Sequence, residues 1–143
     1  MTIEQLSVFV ENKPGKLVEA LESLASAGID LRALSLADTA DFGILRIIVD
    51  KPGEALTRLS AEGYLVRTTP VIPVSVGDRP GGLASALRLL ADGGVDVEYT
   101  YVFVAHSRDN AYVILRVDDN ESAINLLSEA GVKLLTADDM YGI

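Results

Sequence analysis

The sequence contains no cysteine and only one histidine, His106. Disulfides, thiolate metal sites and cysteine nucleophiles are therefore excluded. A lone histidine supplies neither a histidine pair for a metal nor a familiar catalytic triad. Basic residues are also scarce, 12 against 21 acidic ones, giving a net charge of −9 with no basic cluster. That balance argues against nucleic acid and against anionic membrane surfaces as partners. No apolar run is long enough to cross a bilayer. The start, Met1-Thr2-Ile3-Glu4-Gln5, lacks the basic residues and continuous apolar core of a signal peptide, so a cytoplasmic location is expected. What the chain does have is 143 residues that are 49% apolar, enough to fill the core of one ordinary domain or two small ones.

One short stretch occurs twice. Asn12-Lys13-Pro14-Gly15 precedes Lys16-Leu17, and Asp78-Arg79-Pro80-Gly81 precedes Gly82-Leu83. Positions 12 and 78, 15 and 81, and 28 and 94 all keep a spacing of 66. Each copy follows an apolar-alternating segment and opens an amphipathic one. Pro14 and Pro80 suit the first position of a helix, where a missing N–H costs nothing. Lys13 and Arg79 would then be N-caps without a short side-chain oxygen. The early amides, of Gly15 and Lys16 and of Gly81 and Gly82, are thus predicted to be free for water or a ligand. A helix N-terminus with free N–H groups attracts carboxylate or phosphate. Asn12 and Asp78 offer oxygens to an ammonium group. An anion site beside an ammonium site matches a free α-amino acid.

Taken in order, Leu6, Val8 and Val10 alternate as a strand, and Leu17, Leu21 and Leu24 recur at helical spacing before the stop at Gly28. Residues 29–37 and the segment around Leu45, Ile47 and Val49 read as two further strands. Pro52 opens a second helix that Gly63 ends, and residues 64–68 form a fourth strand. Pro70 and Pro73 mark an extended linker, after which the pattern resumes from Val71. Leu83, Leu87 and Leu90 repeat the first helix, and Gly94-Val95-Asp96-Val97 repeats Gly28-Ile29-Asp30-Leu31. Arg46 and Arg116 are 70 apart and Gly63 and Gly131 are 68 apart, so the second copy has gained residues in its hairpin, around His106. Residues 133–136 make the last strand, and residues 137–143 form an unassigned tail. Two β-α-β-β-α-β units of α+β class are expected, 1–69 and 70–143. Each is a ferredoxin-like antiparallel sheet with helices on one face. The other face carries Ile44, Ile48 and Ile114, so it is expected to be covered by the sister unit or another chain.

The run of Asp or Asn, a basic residue, Pro-Gly, one more residue and Leu, followed by a helix and Gly-Ile/Val-Asp, resembles the ACT domain, a small regulatory amino-acid-binding module. Both halves match, over roughly residues 4–68 and 72–136, in the manner of stand-alone tandem ACT proteins. The resemblance implies sheets joined side by side, amino acids bound where units meet, and no catalysis or cofactor. By position it carries ligand contact onto Asn12, Lys13, Pro14, Gly15 and Leu17, and onto Asp78, Arg79, Pro80, Gly81 and Leu83. Lys16 and Gly82 flank these sites, and Gly82 is expected to remove a side chain from the second pocket mouth. A homodimer is expected as well. The alternative is a regulatory subunit that docks without ligand on a biosynthetic enzyme resembling acetolactate synthase, or on a transcription-related partner.

Other residues have plainer readings. His106 is expected in a solvated hairpin loop. Asp118-Asp119 and Asp138-Asp139 lack the spacing of a calcium loop and read as surface charge. Tyr99, Tyr101 and Phe103 share a strand face and read as packing residues ahead of pocket walls. Arg46 and Arg116 are expected to cross the open sheet face toward a carboxylate.

Overall fold

The computed structural model describes residues 2–103 and 109–141. The chain divides into two compact units, one of residues Glu4–Thr69 and one of Met1–Ile3 with Pro70–Ile143. Both are α+β, with antiparallel sheets and helices on one face.

The first unit contains β1 (Ile3–Glu11), α1 (Lys16–Ser26), β2 (Leu31–Asp38), β3 (Phe42–Val49), α2 (Pro52–Ala61) and the opening residues of β4 (Leu65–Gly77). Alternation in β1 puts Leu6, Val8 and Val10 on one face. The register matches Leu6 to Ile47 and Val8 to Leu45, so both strands present one apolar surface. Ala20 and Leu24 of α1 and Ala55 and Leu59 of α2 close over it, all buried. Each large side chain so buried stabilises the fold by about 1.5–3 kcal/mol before entropy is counted.

The second unit repeats this plan. It continues β4 into α3 (Gly82–Asp92), β5 (Val97–Val102), β6 (Asn110–Val117), α4 (Asn120–Glu129) and β7 (Lys133–Leu134). Its strands run β5-β6-β4, and β7 pairs with β4. Val74 opposite Val113 and Ile72 opposite Leu115 form the floor, under Ala86, Leu90, Ala123 and Leu127.

Two local devices recur. Gly28 ends α1 with φ 71°, while the Ile29 amide donates to the Leu24 carbonyl at 3.0 Å. The same left-handed stop follows α2, α3 and α4 at Gly63, Gly94 and Gly131. The aspartate after each Gly-Ile/Val is latched to a second aspartate. The Asp30 amide donates to the Asp50 carboxylate at 2.9 Å, and the Asp50 amide returns a bond to the Asp30 carbonyl at 3.1 Å. Asp96 and Asp118 do the same at 3.0 and 3.1 Å. Asp118 is thus a structural acceptor rather than plain surface charge. Asp119 is one too, since it caps α4 through the Ser122 amide at 3.1 Å.

Several sequence expectations change. The linker is not separate, because residues 65–77 run as one 13-residue strand. Proline is tolerated where its nitrogen needs no ladder partner. β2 begins at Leu31 instead of Ile29, next to an irregularity between Leu31 and Ala33. The last strand stops at Leu134. Beyond it the tail forms a short helix, α5 (Ala137–Tyr141), with Met140 buried. Ile48 and Ile114 are fully buried within this one chain, while Ile44 is half-buried.

The signal for α5 lay in Thr136-Ala137-Asp138-Asp139, a capping box with Asp as the reciprocal acid. The Thr136 amide donates to the Asp139 carboxylate at 2.9 Å, and the Asp139 amide donates to the Thr136 hydroxyl at 3.1 Å. The Thr136 amide first, its hydroxyl next, and finally the charge of Lys133 hold the Asp139 carboxyl below the usual carboxylate range. A carboxyl lowered on folding stabilises the folded form above its unfolded pKa, and that gain fades as pH falls through the folded value. Acidification below the usual carboxylate range should therefore loosen α5. Amide hydrogen exchange at Met140 would report it, and Asp139→Asn should remove that pH dependence.

Candidate functional site

The repeated stretch folds the same way in both units. In the first, the Asn12 amide donates to the Asp41 carbonyl at 3.1 Å, and the Lys16 amide to the Lys13 carbonyl at 3.2 Å. In the second, the Asp78 amide donates to the Asp109 carbonyl at 2.8 Å, and the Gly82 amide to the Arg79 carbonyl at 3.0 Å. Gly15 has φ 86° and ψ −16°, and Gly81 has φ 84° and ψ −1°. Proline followed by glycine at positive φ, with an i to i+3 bond, is a type II turn.

This corrects the expected helix start. Gly15 and Gly81 are the N-caps, with no side-chain cap, and the helices begin at Lys16 and Gly82. Pro14 and Pro80 are turn residues. The Lys16 and Gly82 amides close the turn and are not free for a ligand. Among the described residues, the amides of Gly15, Leu17 and Val18 have no backbone partner, and neither do those of Gly81, Leu83 and Ala84. They leave the positive end of each helix open to an anion.

In the first unit the turn borders a cavity of about 190 Å³ lined by Val10, Glu11, Asn12, Lys13, Leu17, Leu36, Asp38 and Gly43. The bond from Asn12 to Asp41 ties the turn to the β2–β3 hairpin and so brings Asn12 beside Asp38. The Asn12 side-chain amide donates to the Asp38 carboxylate at 3.1 Å, leaving both side chains acceptor capacity toward an ammonium group. Lys13 is paired with Glu11 at 3.1 Å. Leu36 lies across Gly43, since a methyl group on Gly43 would stand 3.0 Å from its Cδ1. Asp38, Leu36 and Gly43 were not singled out from sequence. Asp38 stands in an ordinary Asp-Thr-Ala-Asp stretch of the sequence, and only the hairpin contact brings it to Asn12.

The second unit shares the turn, but the counterpart of Asp38 falls at residues 104–108, outside the described residues, as does His106. Asp78, Arg79, Pro80, Gly81 and Leu83 form the turn and the helix start. Gly82 has a different role from the one expected, because a methyl group there would lie 2.0 Å from the Gly77 carbonyl oxygen. It lets α3 pack against the end of β4. Its counterpart Lys16 carries a full side chain that pairs with Glu19 at 3.6 Å.

Among the described residues, no group of three or more acidic or histidine side chains is placed to hold a metal ion, and no helix is long and apolar enough to cross a membrane. Tyr99 and Tyr101 stack with centroids 6.4 Å apart, and Phe103 stacks on Tyr112 at 5.3 Å, as packing residues do. Arg116 reaches the Glu98 carboxylate at 3.2 Å and the Pro70 carbonyl at 3.3 Å, as expected for a side chain crossing the sheet face.

A family model described as an ACT domain pair matches residues 1–142. Among solved structures, the chain is similar to protein BT0572 from Bacteroides thetaiotaomicron, with 41% identity, a TM-score of 0.93, and coverage of 100% of this chain and 98% of that one. It is also similar in fold to the regulatory subunit of aspartate kinase from Thermus thermophilus in its ligand-free form, with 22% identity, a TM-score of 0.66, and coverage of 89% and 91%. The Thermus flavus regulatory subunit has 19% identity and a TM-score of 0.62, with coverage of 90% and 92%. No curated protein matches the chain.

Three substitutions separate the roles of these turn positions. Gly82→Ala should destabilise the protein by about 1–3 kcal/mol through overpacking against the Gly77 carbonyl, while Lys16→Ala should stay within about 0.5 kcal/mol. A Cβ at residue 81 would meet no atom within 4 Å, yet Gly81→Val should cost about 1–2 kcal/mol because a branched residue resists positive φ. Urea denaturation measures all three.

Proposed function

This chain belongs to the ACT family, as an ACT domain pair, and from that premise we propose that it is a non-catalytic regulatory protein that binds a free α-amino acid. ACT domains are regulatory modules, and the aspartate kinase chains of like fold are regulatory subunits. The observation that carries the reading is the first-unit cavity, which Leu17 of the helix start lines together with the hydrogen-bonded Asn12–Asp38 pair. The ligand carboxylate sits toward the amides of Gly15 and Leu17, and the ammonium group toward the Asn12 and Asp38 oxygens. A charge-assisted contact to Asp38 is worth about 1.5–3 kcal/mol. In the second unit Asp78 takes the place of Asn12, with Arg79, Pro80, Gly81 and Leu83 following and Gly82 fixing the helix start.

A cavity of about 190 Å³ lies below the ~300–1,000 Å³ of typical ligand clefts, so a second copy is proposed to complete it. β2 ends the strand order in the first unit, and Leu34, Leu36 and Phe42 are exposed there at 42%, 50% and 47%. Exposed apolar groups on an open sheet edge favour pairing with another chain. The working form is a cytoplasmic homodimer whose association, or contact with a metabolic enzyme, responds to the amino acid.

A thermal-shift screen against the twenty amino acids tests this. A ligand at ~100 times its dissociation constant adds about 2.7 kcal/mol, which raises the midpoint by several degrees. Asp38→Asn should weaken the hit about tenfold or more. Silence across the set, or unchanged affinity in Asp38→Asn, would overturn the placement.

A further inference from the structure

Each unit carries a cavity at the same place in the repeat, which in the first unit is distinct from the one beside Asn12. It lies between the end of the unit's first strand, the start of its first helix, and the turn that leads into its last strand. In the first unit its volume is about 600 Å³, and its charged lining is Glu11, Lys16, Glu19 and Glu62. In the second unit it is about 540 Å³, and its charged lining is Arg79 and Lys133. The repeat spacing shows how the sign reversed. Glu11, Glu19 and Glu62 correspond to Gly77, Ser85 and Ala130, and Leu65 corresponds to Lys133. Three carboxylates and Lys16 have gone, Lys133 has been added, and Arg79 lines the cavity where Lys13 does not.

Losing the first of these carboxylates matters most. In the first unit Lys13 is neutralised by Glu11 at 3.1 Å. In the second, Gly77 stands where Glu11 would be, and the Arg79 side chain lies over it. A methyl group on Gly77 would be 3.1 Å from Nε of Arg79 and 3.6 Å from its Cγ. Arg79 and Lys133 form no ion pair among the described residues. Asp139 feels the charge of Lys133 but is held by Thr136 and does not line the cavity. Ser75, Ser85 and Asn110 add neutral hydrogen-bonding groups to the wall. In a protein of net charge −9, a cavity lined by two cations and no carboxylate is a local exception.

We propose that this second-unit cavity binds a small dianion, a phosphate monoester or a dicarboxylate, held by Arg79 and Lys133. It goes beyond the amino-acid site: it shares Arg79 with the turn assigned to that site in the second unit, but none of the first-unit side chains at Asn12 and Asp38. A planar guanidinium and a mobile ammonium group are complementary to paired anionic oxygens. The first unit cannot take such a ligand, because its own carboxylates repel it.

The test is an NMR titration of the full chain with inorganic phosphate and, separately, with succinate. Saturable shifts are expected at the Ser85 and Asn110 amides, weakening as salt is added. Gly77→Glu places in the second unit the carboxylate that the first one holds. The three atoms nearest to a Cβ there all belong to the flexible Arg79 side chain, so the fold should survive. In Gly77→Glu and in Lys133→Gln the dissociation constant should rise about tenfold or more. Saturation by phosphate alone would assign phosphate-bearing ligands, and by succinate alone dicarboxylates. Shifts that fail to saturate with either probe, or affinity retained in either variant, would overturn the proposal. Amino-acid binding would be read at Asn12 and Asp38, so the two readings fail separately.

Discussion

The hydrogen bond from the first residue of the Pro-Gly turn to the neighbouring hairpin is the constraint on which the site depends. Asn12 makes it to Asp41 and Asp78 makes it to Asp109. It joins a turn and a hairpin that are some thirty residues apart in sequence. With that bond in place, proline and glycine close a type II turn, and the helix that follows starts without a side-chain cap. Its amides stay open because the positive φ at glycine directs the chain into the helix with no oxygen at hand to accept them. The Asn12–Asp38 contact follows from the same bond.

Duplication preserved the backbone and released the side chains. The helix stops, the aspartate latches and the turns superpose in logic, position for position. At matching places, however, Glu11 faces Gly77 and Lys16 faces Gly82. The second pair answers to packing, since the Gly77 carbonyl leaves no room for a side chain at residue 82. The first pair answers to charge, since removing Glu11's counterpart leaves Arg79 without the partner that Lys13 has. A conserved frame with divergent charge allows one fold to present two different cavities.

Amphipathic spacing and glycine stops determined most of the architecture from sequence, because period 2 and period 3.6 are local properties of the chain. The repeat itself was legible as a spacing of 66 residues. The turn residues from Asn12 to Leu17 and from Asp78 to Leu83 were legible as a motif, and the helix stop at Gly28 as chemistry. The capping box at Thr136 is also written in the chain, although the helix it begins is too short to show a periodic apolar face.

Only the tertiary structure decided the rest. Pro-Gly is compatible with both a helix start and a type II turn, and the choice depends on where the Lys16 amide finds its acceptor. Residues 72–77 pair with β6, and residues 74 and 75 also with β7, so the strand runs on through Pro73, which no local propensity reports. Asp38 joined the candidate site, and Gly77 exposed Arg79, through contacts made in space by residues whose own sequence neighbourhoods are ordinary. Sequence by itself fixed which segments have a buried face, since burial is paid for locally by apolar side chains at regular intervals. Which polar groups meet was left to the fold, because hydrogen bonds and ion pairs act over a few ångströms between residues the chain keeps far apart.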